Sequence, residues 1–267
     1  MDLIAHSKNI ITVLDESILK WDQEKSASHK PKVNHYIGDW GTLTADGYVG
    51  SCLRKQVYVW WDIKPTNVEP KRKYTPAVGG LIGDFIPFLW EKYGGFKKVE
   101  NEVEVLVKPL KLMNPIKGRI DTLLTHEDDS VTMIEIKTCH SRAISDKRFG
   151  MRTHGAKQEY INQVCFYKDH YQSRVDVVKI IVFSREDFNR LEFTMGVEFE
   201  PINTKDYRCF EVVETYLRDK QLPPKTYTAG KDKYPCSWCE FRTRCYDFDM
   251  ESTIPTAELY ISQELNL

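Results

Sequence analysis

Three residues of complementary chemistry lie close together near the middle of the chain. Asp121 ends the run Lys117-Gly118-Arg119-Ile120-Asp121, and Glu135-Ile136-Lys137 begins fourteen residues after it. Two carboxylates on one face repel each other unless a cation lies between them, and oxygen ligands of this kind suit Mg²⁺ or Mn²⁺. A lysine beside them can orient a water molecule or stabilise charge on a phosphate. The spacing indicates a divalent-metal site; a surface hairpin with an ordinary carboxylate–lysine pair is the alternative.

Two neighbouring strands must position these residues. Side chains alternate between the faces of a strand, so Glu135 and Lys137 share one face while Ile134 and Ile136 pack on the other. The polar run at 126–130 has the composition of a turn. The sequence therefore predicts a hairpin that brings the first carboxylate toward the second.

The overall composition limits the class of protein. Of 267 residues, 41% are hydrophobic and 29% charged, which is ordinary for a soluble chain. No apolar run approaches a membrane span and the N-terminus lacks the profile of a signal peptide, so we expect a cytoplasmic protein without a membrane partner. The formal net charge of -1 excludes a globally basic nucleic-acid coat. Any contact with phosphates must come from a local basic patch.

One such patch directly follows the second predicted strand. The stretch 140–157 holds five basic residues against Asp146 alone, an excess of four positive charges. The five residues are Arg142, Lys147, Arg148, Arg152 and Lys157. A charge run is usually a solvated face, but its position beside the predicted site makes phosphate binding an equal alternative.

Apolar spacing along the chain predicts an α/β protein. Helices are predicted over 1–25, 50–61, 76–93, 158–171 and 204–220, and strands over 99–107, 116–124, 131–138, 177–183 and 191–197. Residues 26–50 and 65–76 are predicted to be irregular. Gln163 and Tyr167 lie four apart on one helix and share its surface. Asp84 lies among apolar residues of another helix, either as an exposed residue or held beside the core for a purpose.

Four of the seven cysteines are candidate metal ligands. Three of them, Cys236, Cys239 and Cys245, form the pattern C-x₂-C-x₅-C. Both zinc and cubane iron–sulfur sites need a fourth ligand, and Cys52 at the start of a predicted helix is the best candidate. Spacing does not separate zinc from iron–sulfur, and scattered packing residues are the remaining alternative.

Together these motifs resemble the RecB-like branch of the PD-(D/E)xK nucleases. The similarity is greatest to the four-cysteine, iron–sulfur-stapled group that includes the small CRISPR-associated adaptation exonucleases and their viral relatives. It covers roughly residues 50 to 248. The motifs that carry it are Gly118-Arg119-Ile120-Asp121, Glu135-Ile136-Lys137, the Gln163–Tyr167 pair and one early plus three late cysteines.

The resemblance implies the roles of the site residues. Asp121 and Glu135 are implied as ligands of Mg²⁺ or Mn²⁺, and Lys137 as the catalytic lysine. Gln163 and Tyr167 are implied as the Q-x-x-x-Y motif that contacts DNA beside the active site. Many relatives carry a metal-binding histidine in G-x-x-x-H, where this chain has Asp84 four residues after Gly80, so Asp84 is expected as a third ligand.

The resemblance also implies a fold and a cluster. The expected fold is restriction-endonuclease-like, with a mixed central sheet of about five strands flanked by helices and an iron–sulfur-stapled helical or irregular lobe. A [4Fe–4S] cluster is favoured over zinc at Cys52, Cys236, Cys239 and Cys245. The implied division is a helical extension at 1–50, a nuclease core at 51–233, a cysteine segment at 234–248 and a tail at 249–267.

The function implied is a metal-dependent DNA exonuclease acting on single strands or DNA ends, in DNA processing or recombination. If the protein is viral, it would act in the host cytoplasm. The chain has no G-x-x-x-x-G-K-[ST] phosphate-binding loop, so any unwinding of DNA requires a partner such as a helicase. A CRISPR integrase is another partner that the resemblance implies. The protein could also form an oligomer. One alternative is a catalytically weakened DNA-binding or partner-docking module, for example in CRISPR spacer acquisition. Another is a zinc-stapled binding protein.

Overall fold

The structure, a computed structural model, describes residues 17, 20, 24, 34–39, 42–44, 47–49, 52–67, 70–204, 206–225 and 236–247. The strands are β1 (His35–Tyr36), β2 (Thr42–Thr44), β3 (Gly47–Val49), β4 (Lys98–Val107), β5 (Ile116–Thr125), β6 (Val131–Cys139), β7 (Val177–Ser184) and β8 (Arg190–Thr194). The helices are α1 (Leu53–Trp60), α2 (Pro70–Tyr93), α3 (Ser141–Ser145), α4 (Met151–His154), α5 (Gln158–His170), α6 (Arg208–Arg218) and α7 (Arg242–Asp247). The tail predicted at 249–267 and nearly all of the helix predicted at 1–25 lie outside the described residues.

A mixed sheet forms the centre of the described part of the chain. Its hydrogen-bonded order is β1-β5-β6-β7-β8, with β4 on the other edge of β5. β5 is antiparallel to β4 and β6, whereas β6 and β7 run parallel. A parallel neighbour requires a crossover connection, and α3, α4 and α5 supply it. The predicted mixed central sheet flanked by helices is confirmed, with six strands.

The hairpin predicted around the two carboxylates is formed by β5 and β6. In its turn, the Asp128 carboxylate accepts a hydrogen bond from the Ser130 amide at 3.0 Å, which is the local bonding expected of this polar run. Ile134 and Ile136 are buried against Ile82 of α2. The alternation that set Glu135 on the opposite face is therefore confirmed.

The second face of the sheet carries the larger core. Val164 and Phe166 of α5 pack there against buried residues of three strands, among them Ile120, Met133 and Ile180. Helix α5 thus lies across the face from which Glu135 and Lys137 project. This placement brings the helix residues predicted to contact DNA over the same strands as the predicted metal ligands.

Two segments predicted to be irregular contain regular structure. Helix α2 begins at Pro70, not at Pro76, so the connector predicted at 65–76 was wrong over its last part. Proline is favoured in the first turn of a helix, where its missing N–H has no intrahelical partner. Pro76 and Pro87 both lie inside this helix, each at the loss of one backbone hydrogen bond.

The prediction of irregular structure over 26–50 was wrong at three short strands. β1 pairs in parallel with the start of β5, and β2 pairs with β3. Strands of two or three residues are too short to show a periodicity in the sequence. They are stabilised by tertiary pairing and not by a local pattern. Other boundaries moved by a few residues: β8 ends at Thr194, and α6 spans Arg208–Arg218.

None of the described helices is both long enough and apolar enough to cross a membrane.

β1 is held in place by a buried carboxylate that is distant from it in the sequence. Glu214 of α6 lies 3.0 Å from His35 Nε2, and its carboxylate accepts hydrogen bonds from the backbone amides of Met113 and Asn114 at 2.9 and 2.8 Å. Burial acts to raise the pKa of Glu214, but the hydrogen bonds outweigh it and hold the pKa below its ordinary value. Glu214 therefore joins β1 to the segment that precedes β5.

We expect Glu214→Gln to lower the free energy of unfolding at pH 7 by about 2 kcal/mol, because one buried acceptor is replaced by an amide that cannot accept all of these bonds. The difference from wild type should shrink as the pH falls below the ordinary carboxyl value of 4.5, since a depressed folded-state pKa gives stability that is lost on protonation. Urea unfolding at pH 7 and pH 4 measures both effects.

Glu211→Gln is the matched control, since Glu211 lies one turn earlier on α6 and the hydrogen bonds to His35, Met113 and Asn114 are made by Glu214. Equal losses in the two variants would contradict the role given to Glu214.

Candidate active site

A cavity lies where β5 and β6 diverge. β5 pairs with β6 only over Thr122–Thr125 and with β1 only at Ile116 and Lys117. Between these two ladders, a space of about 280 Å³ is left open on one side of β5. Its lining includes Gly118, Arg119 and Asp121 of β5, Glu135 and Lys137 of β6, and Gln163 and Tyr167 of α5. The structure thus brings all five predicted catalytic residues into one cavity.

Asp121 is the first carboxylate at the point of divergence. Its Oδ2 accepts a hydrogen bond from the Ile136 backbone amide at 2.7 Å, so the side chain takes the place that a backbone carbonyl would have in a continued ladder. Burial raises the pKa of Asp121, while the charge of Lys137 and the bond from Ile136 act to lower it. Asp121 also lines the cavity.

Glu135 is the second carboxylate and is buried, with 1% of its side chain exposed. Burial, followed by repulsion from Asp121, raises the pKa of Glu135 to about 8. The Lys137 ammonium forms an ion pair with Oε1, whereas Oε2 has no hydrogen-bond partner in the described part of the chain. A buried carboxylate with one unpartnered oxygen beside a second carboxylate is the environment that a cation would stabilise.

Lys137 is fixed by a chain of hydrogen bonds. Its Nζ donates to Gln163 Oε1 at 2.8 Å, and Gln163 Nε2 donates to the Tyr167 hydroxyl at 2.8 Å. That hydroxyl also accepts the Arg119 backbone amide at 3.3 Å. Burial acts to lower the pKa of Lys137, but the charge of Glu135 outweighs it and the pKa is raised. Lys137 is therefore a positioned cation at neutral pH.

Gly118 makes room for the tyrosine at the end of this chain. A Cβ at this position would lie 2.4 Å from Cε1 of Tyr167 and 2.9 Å from Cγ2 of Ile37. Any larger residue would push the tyrosine ring away from β5 and break the bond to the Arg119 amide. The glycine of the Gly-Arg-Ile-Asp motif is therefore explained by close packing.

Tyr160 contacts Lys137 from another side. The Lys137 ammonium lies 5.5 Å from the centre of the Tyr160 ring, and the Lys157 ammonium lies 5.4 Å from the same centre. Both distances are within the range of a cation–π interaction. Burial raises the pKa of Tyr160, so the ring carries a neutral phenol. Sequence reasoning missed this residue, although it lies one helical turn before Gln163.

The residues present fit a divalent cation of the oxygen-binding kind. Asp121 and Glu135 supply hard oxygen ligands, and Oε2 of Glu135, which has no hydrogen-bond partner among the described residues, leaves capacity for a cation. Within the described ranges, however, no group of three or more His, Cys, Asp or Glu side chains is arranged to hold a metal ion.

The structure does not bring Asp84 to this cavity. Its side chain is exposed, and it is not among the lining residues. Ile82 and Ile86 turn the apolar side of α2 toward the face of the sheet opposite Glu135. The spacing that suggested a third metal ligand therefore corresponds to a residue on the solvent side of the helix.

The five basic residues predicted to bind DNA all lie at the surface. They occupy the connection from β6 to α5 that contains α3 and α4. Arg148 pairs with Asp146, and Lys157 pairs with Glu159 at 3.6 Å. Lys157 is the member that shares the Tyr160 ring with the lysine in the cavity, so the basic segment meets the site there.

The four candidate cysteines approach one another around α1. Cys239 and Cys245 pack with Tyr58 and Phe241 in one cluster. Burial raises the pKa of the Cys239 and Cys245 thiols, and the charge of Cys52 adds to the increase. The Tyr246 hydroxyl donates to Cys236 Sγ at 3.6 Å, so this sulfur lies beside α7, the helix that carries Cys245. In the part of the chain described, these sulfurs do not form a ready metal-binding group.

Two further cavity features were not found from the sequence. Tyr36, Ile37 and Gly38 line the cavity from β1 and the turn after it, and Glu102 lines it from β4. β1 is too short to be recognised, and Glu102 belongs to no motif. Only the strand register reveals the position of Glu102, because its neighbours Asn101 and Val103 pair with Thr122 and Ile120.

Comparison with solved structures supports the fold. The crystal structure of SSO0001 aligns with a TM-score of 0.52 at 20% sequence identity, over 90% of this chain and 98% of that chain. At this identity the likeness shows the fold alone. A search of curated proteins returned no significant match.

A family model described as the PD-(D/E)XK nuclease superfamily matches residues 68–246. Nucleases of this superfamily typically use Mg²⁺ or Mn²⁺, in agreement with the oxygen ligands in the cavity. The match spans strands β4 to β8, the cavity residues that they and α5 supply, and the three late cysteines. This chain belongs to the PD-(D/E)XK nuclease superfamily.

Proposed function

We propose that the protein is a divalent-metal-dependent deoxyribonuclease that acts as an exonuclease on single-stranded DNA or DNA ends. The observation that carries the proposal is the pair of carboxylates, Asp121 and Glu135, beside a lysine fixed by Gln163 in one cavity. Mg²⁺ or Mn²⁺ bound by the two carboxylates would supply Lewis-acid stabilisation of the phosphate and a more acidic water.

The residues of the chain have distinct tasks in this proposal. Asp121 and Glu135 hold the cation, and Lys137 orients the attacking water or stabilises charge on the phosphate. Gln163 fixes the lysine through its carbonyl oxygen, and Tyr167 fixes the glutamine. The exposed basic residues of 140–157 hold the nucleic-acid backbone without reading its sequence.

The preference for single strands or ends rests on two grounds. One is the sequence resemblance. The other is the proposal that the cysteine region forms a lobe that narrows the DNA path. We further propose that Cys52, Cys236, Cys239 and Cys245 hold a [4Fe–4S] cluster, with zinc as the alternative. The packing of the late cysteines against α1 supports a common site, since residues far apart in sequence meet there. Such a metal would couple the two ends of the nuclease core, and its binding energy would add to stability.

A DNA-binding module with weakened chemistry is the second candidate function. The exposure of Asp84 away from the cavity favours it, because the third ligand expected from relatives does not lie there. Stable DNA binding without cleavage in either Mg²⁺ or Mn²⁺ would select this candidate.

Asp121→Asn and Lys137→Met are expected to lower the cleavage rate by at least about 10²-fold, because each removes charge directed at the reacting phosphate or its cation. The measurement is hydrolysis of end-labelled single-stranded DNA with Mg²⁺ or Mn²⁺, and circular dichroism checks the fold. Lys179→Met is the matched control, since Lys179 is also a strand lysine paired with a glutamate but lies outside the cavity.

Wild-type rates in both site variants would overturn the active site. Cleavage of closed circular single strands as fast as linear ones would reject the exonuclease assignment while leaving the nuclease intact.

Tyr160→Leu is expected to lower kcat by about tenfold with little change in KM, because the lysine loses a cation–π contact worth about 1–2 kcal/mol in a desolvated site. Tyr160→Phe keeps the ring face and should stay close to wild type. Steady-state kinetics on the same labelled strand compares the two variants. An equal loss in both would mean that the hydroxyl group, and not the ring face, is needed.

Anaerobically purified protein is expected to contain about four iron and four sulfide per chain, and Cys245→Ala should lose them together with thermal stability. Cys209→Ala, which changes a buried cysteine outside the set, should keep the metal. Elemental analysis with visible absorption decides the outcome. One zinc and no iron would replace the cluster by a zinc site, and metal content unchanged in Cys245→Ala would contradict both.

A further inference from the structure

Glu102 stands directly opposite Asp121 across the β4–β5 pair. Asn101 pairs with Thr122 and Val103 pairs with Ile120, so the position between them faces Asp121. Glu102 has a φ of +54°, a left-handed conformation inside a ten-residue strand. This conformation costs about 1 kcal/mol or more in a residue with a Cβ, and such outliers concentrate at functional sites.

The Glu102 carboxylate belongs to the same cavity as the two carboxylates already described. It lines that cavity, and its charge contributes to the raised pKa of both Asp121 and Glu135. The three acidic groups therefore experience one electrostatic field, although they reach it from three different strands.

Arg119 holds Glu102 in an ion pair. Its Nη1 lies 2.5 Å from Glu102 Oε2, and the side chains are 62% and 53% exposed. An exposed ion pair of this kind contributes little to stability and exchanges partners readily. Arg119 lines the cavity as well, and a guanidinium matches the geometry of a phosphate group.

An acidic cluster alone does not make a metal site, and the independent observation here is Glu135. Its side chain is 1% exposed and lines the cavity, and while Oε1 pairs with Lys137, Oε2 has no hydrogen-bond partner within the described residues. That environment calls for a cation, and a cation held by only two carboxylates has room for further oxygen ligands.

We propose that Glu102 is a third metal-binding carboxylate, directly or through a water molecule, and that Arg119 holds it in reserve until a phosphate of the nucleic acid takes the guanidinium. The inference rests on the proposed metal-dependent nuclease. Within the described residues, Glu102 is paired with Arg119 and no three-ligand group is formed. Binding of the nucleic acid would thereby complete the metal site.

The test measures Mn²⁺ affinity by isothermal titration calorimetry on the full chain without nucleic acid. Arg119→Met releases Glu102 and should tighten Mn²⁺ binding by about tenfold, within the range of couplings measured between contacting residues. The double variant Arg119→Met with Glu102→Gln should lose this gain in Mn²⁺ affinity, because the carboxylate that Arg119→Met releases is absent.

The neighbouring pair of Lys117 and Glu104 provides the matched control. Lys117 also lines the cavity and pairs with a β4 carboxylate of similar exposure, but Glu104 is not among the lining residues. Lys117→Met therefore removes the same charge without releasing a ligand and should change Mn²⁺ affinity much less. An equal gain in Lys117→Met, or a gain that survives Glu102→Gln, would overturn the proposal.

A second arm adds a short single-stranded oligonucleotide in the Lys137→Met background, which prevents cleavage. The oligonucleotide should tighten Mn²⁺ binding when Glu102 is present and have a much smaller effect in Glu102→Gln. Equal effects would reject the exchange. If Mn²⁺ binding is weakened by Asp121→Asn but unchanged by every Glu102→Gln variant, only this inference fails. If Mn²⁺ binding is unchanged by Asp121→Asn, the metal site of the proposed function fails as well.

Discussion

The structure around the cavity depends on the point where β5 and β6 separate. Their pairing ends at Thr122 and Ile134, so the residues before Thr122 in β5 and after Ile134 in β6 are apart. Where two strands part, their backbone groups lose partners, and buried groups without partners are costly. Two of these groups are satisfied by side chains: the Ile136 amide by Asp121 and the Arg119 amide by Tyr167. The residues that complete the backbone bonding are thus the same residues that the proposed chemistry requires.

This arrangement places unfavourable electrostatics where a ligand can relieve them. Burial raises the pKa of Asp121 and of Glu135, and the charge of Asp121 raises the pKa of Glu135 further. The single positive charge of Lys137 compensates only part of the negative charge of two carboxylates. Its ammonium also donates a hydrogen bond to Gln163. Strongly perturbed carboxylates in a cavity are characteristic of functional sites, and here the physical causes are burial and like charge.

Much of the site could be predicted from the sequence because its central residues follow local periodicity. The alternation around Glu135 and the four-residue step from Gln163 to Tyr167 survive in any context that preserves the strand and the helix. Long-range pairing could not be predicted in this way. His35 meets Glu214 across 179 positions, and Glu102 faces Asp121 only because of the register between two strands.

The position of Asp84 shows why helical spacing alone does not identify a ligand. Spacing gives the place of a residue along α2, but packing decides which side of the helix meets the sheet. Ile82 and Ile86 are in the core, and a Cβ at Gly79 would lie 2.8 Å from the Thr138 hydroxyl, so the helix is closely seated against the end of β6. Turning Asp84 toward the sheet would remove Ile82 from the core, at a cost of about 1.5–3 kcal/mol for its side chain alone.

A third acidic group can reach the cavity without this cost only from an element that already borders it. β4 borders β5 along its whole length, and the left-handed residue in its ladder lies opposite the first carboxylate. Glu102 therefore lines the cavity while its neighbours Asn101 and Val103 remain paired with β5. In this chain the fold favours a strand over the preceding helix as the source of a further oxygen ligand.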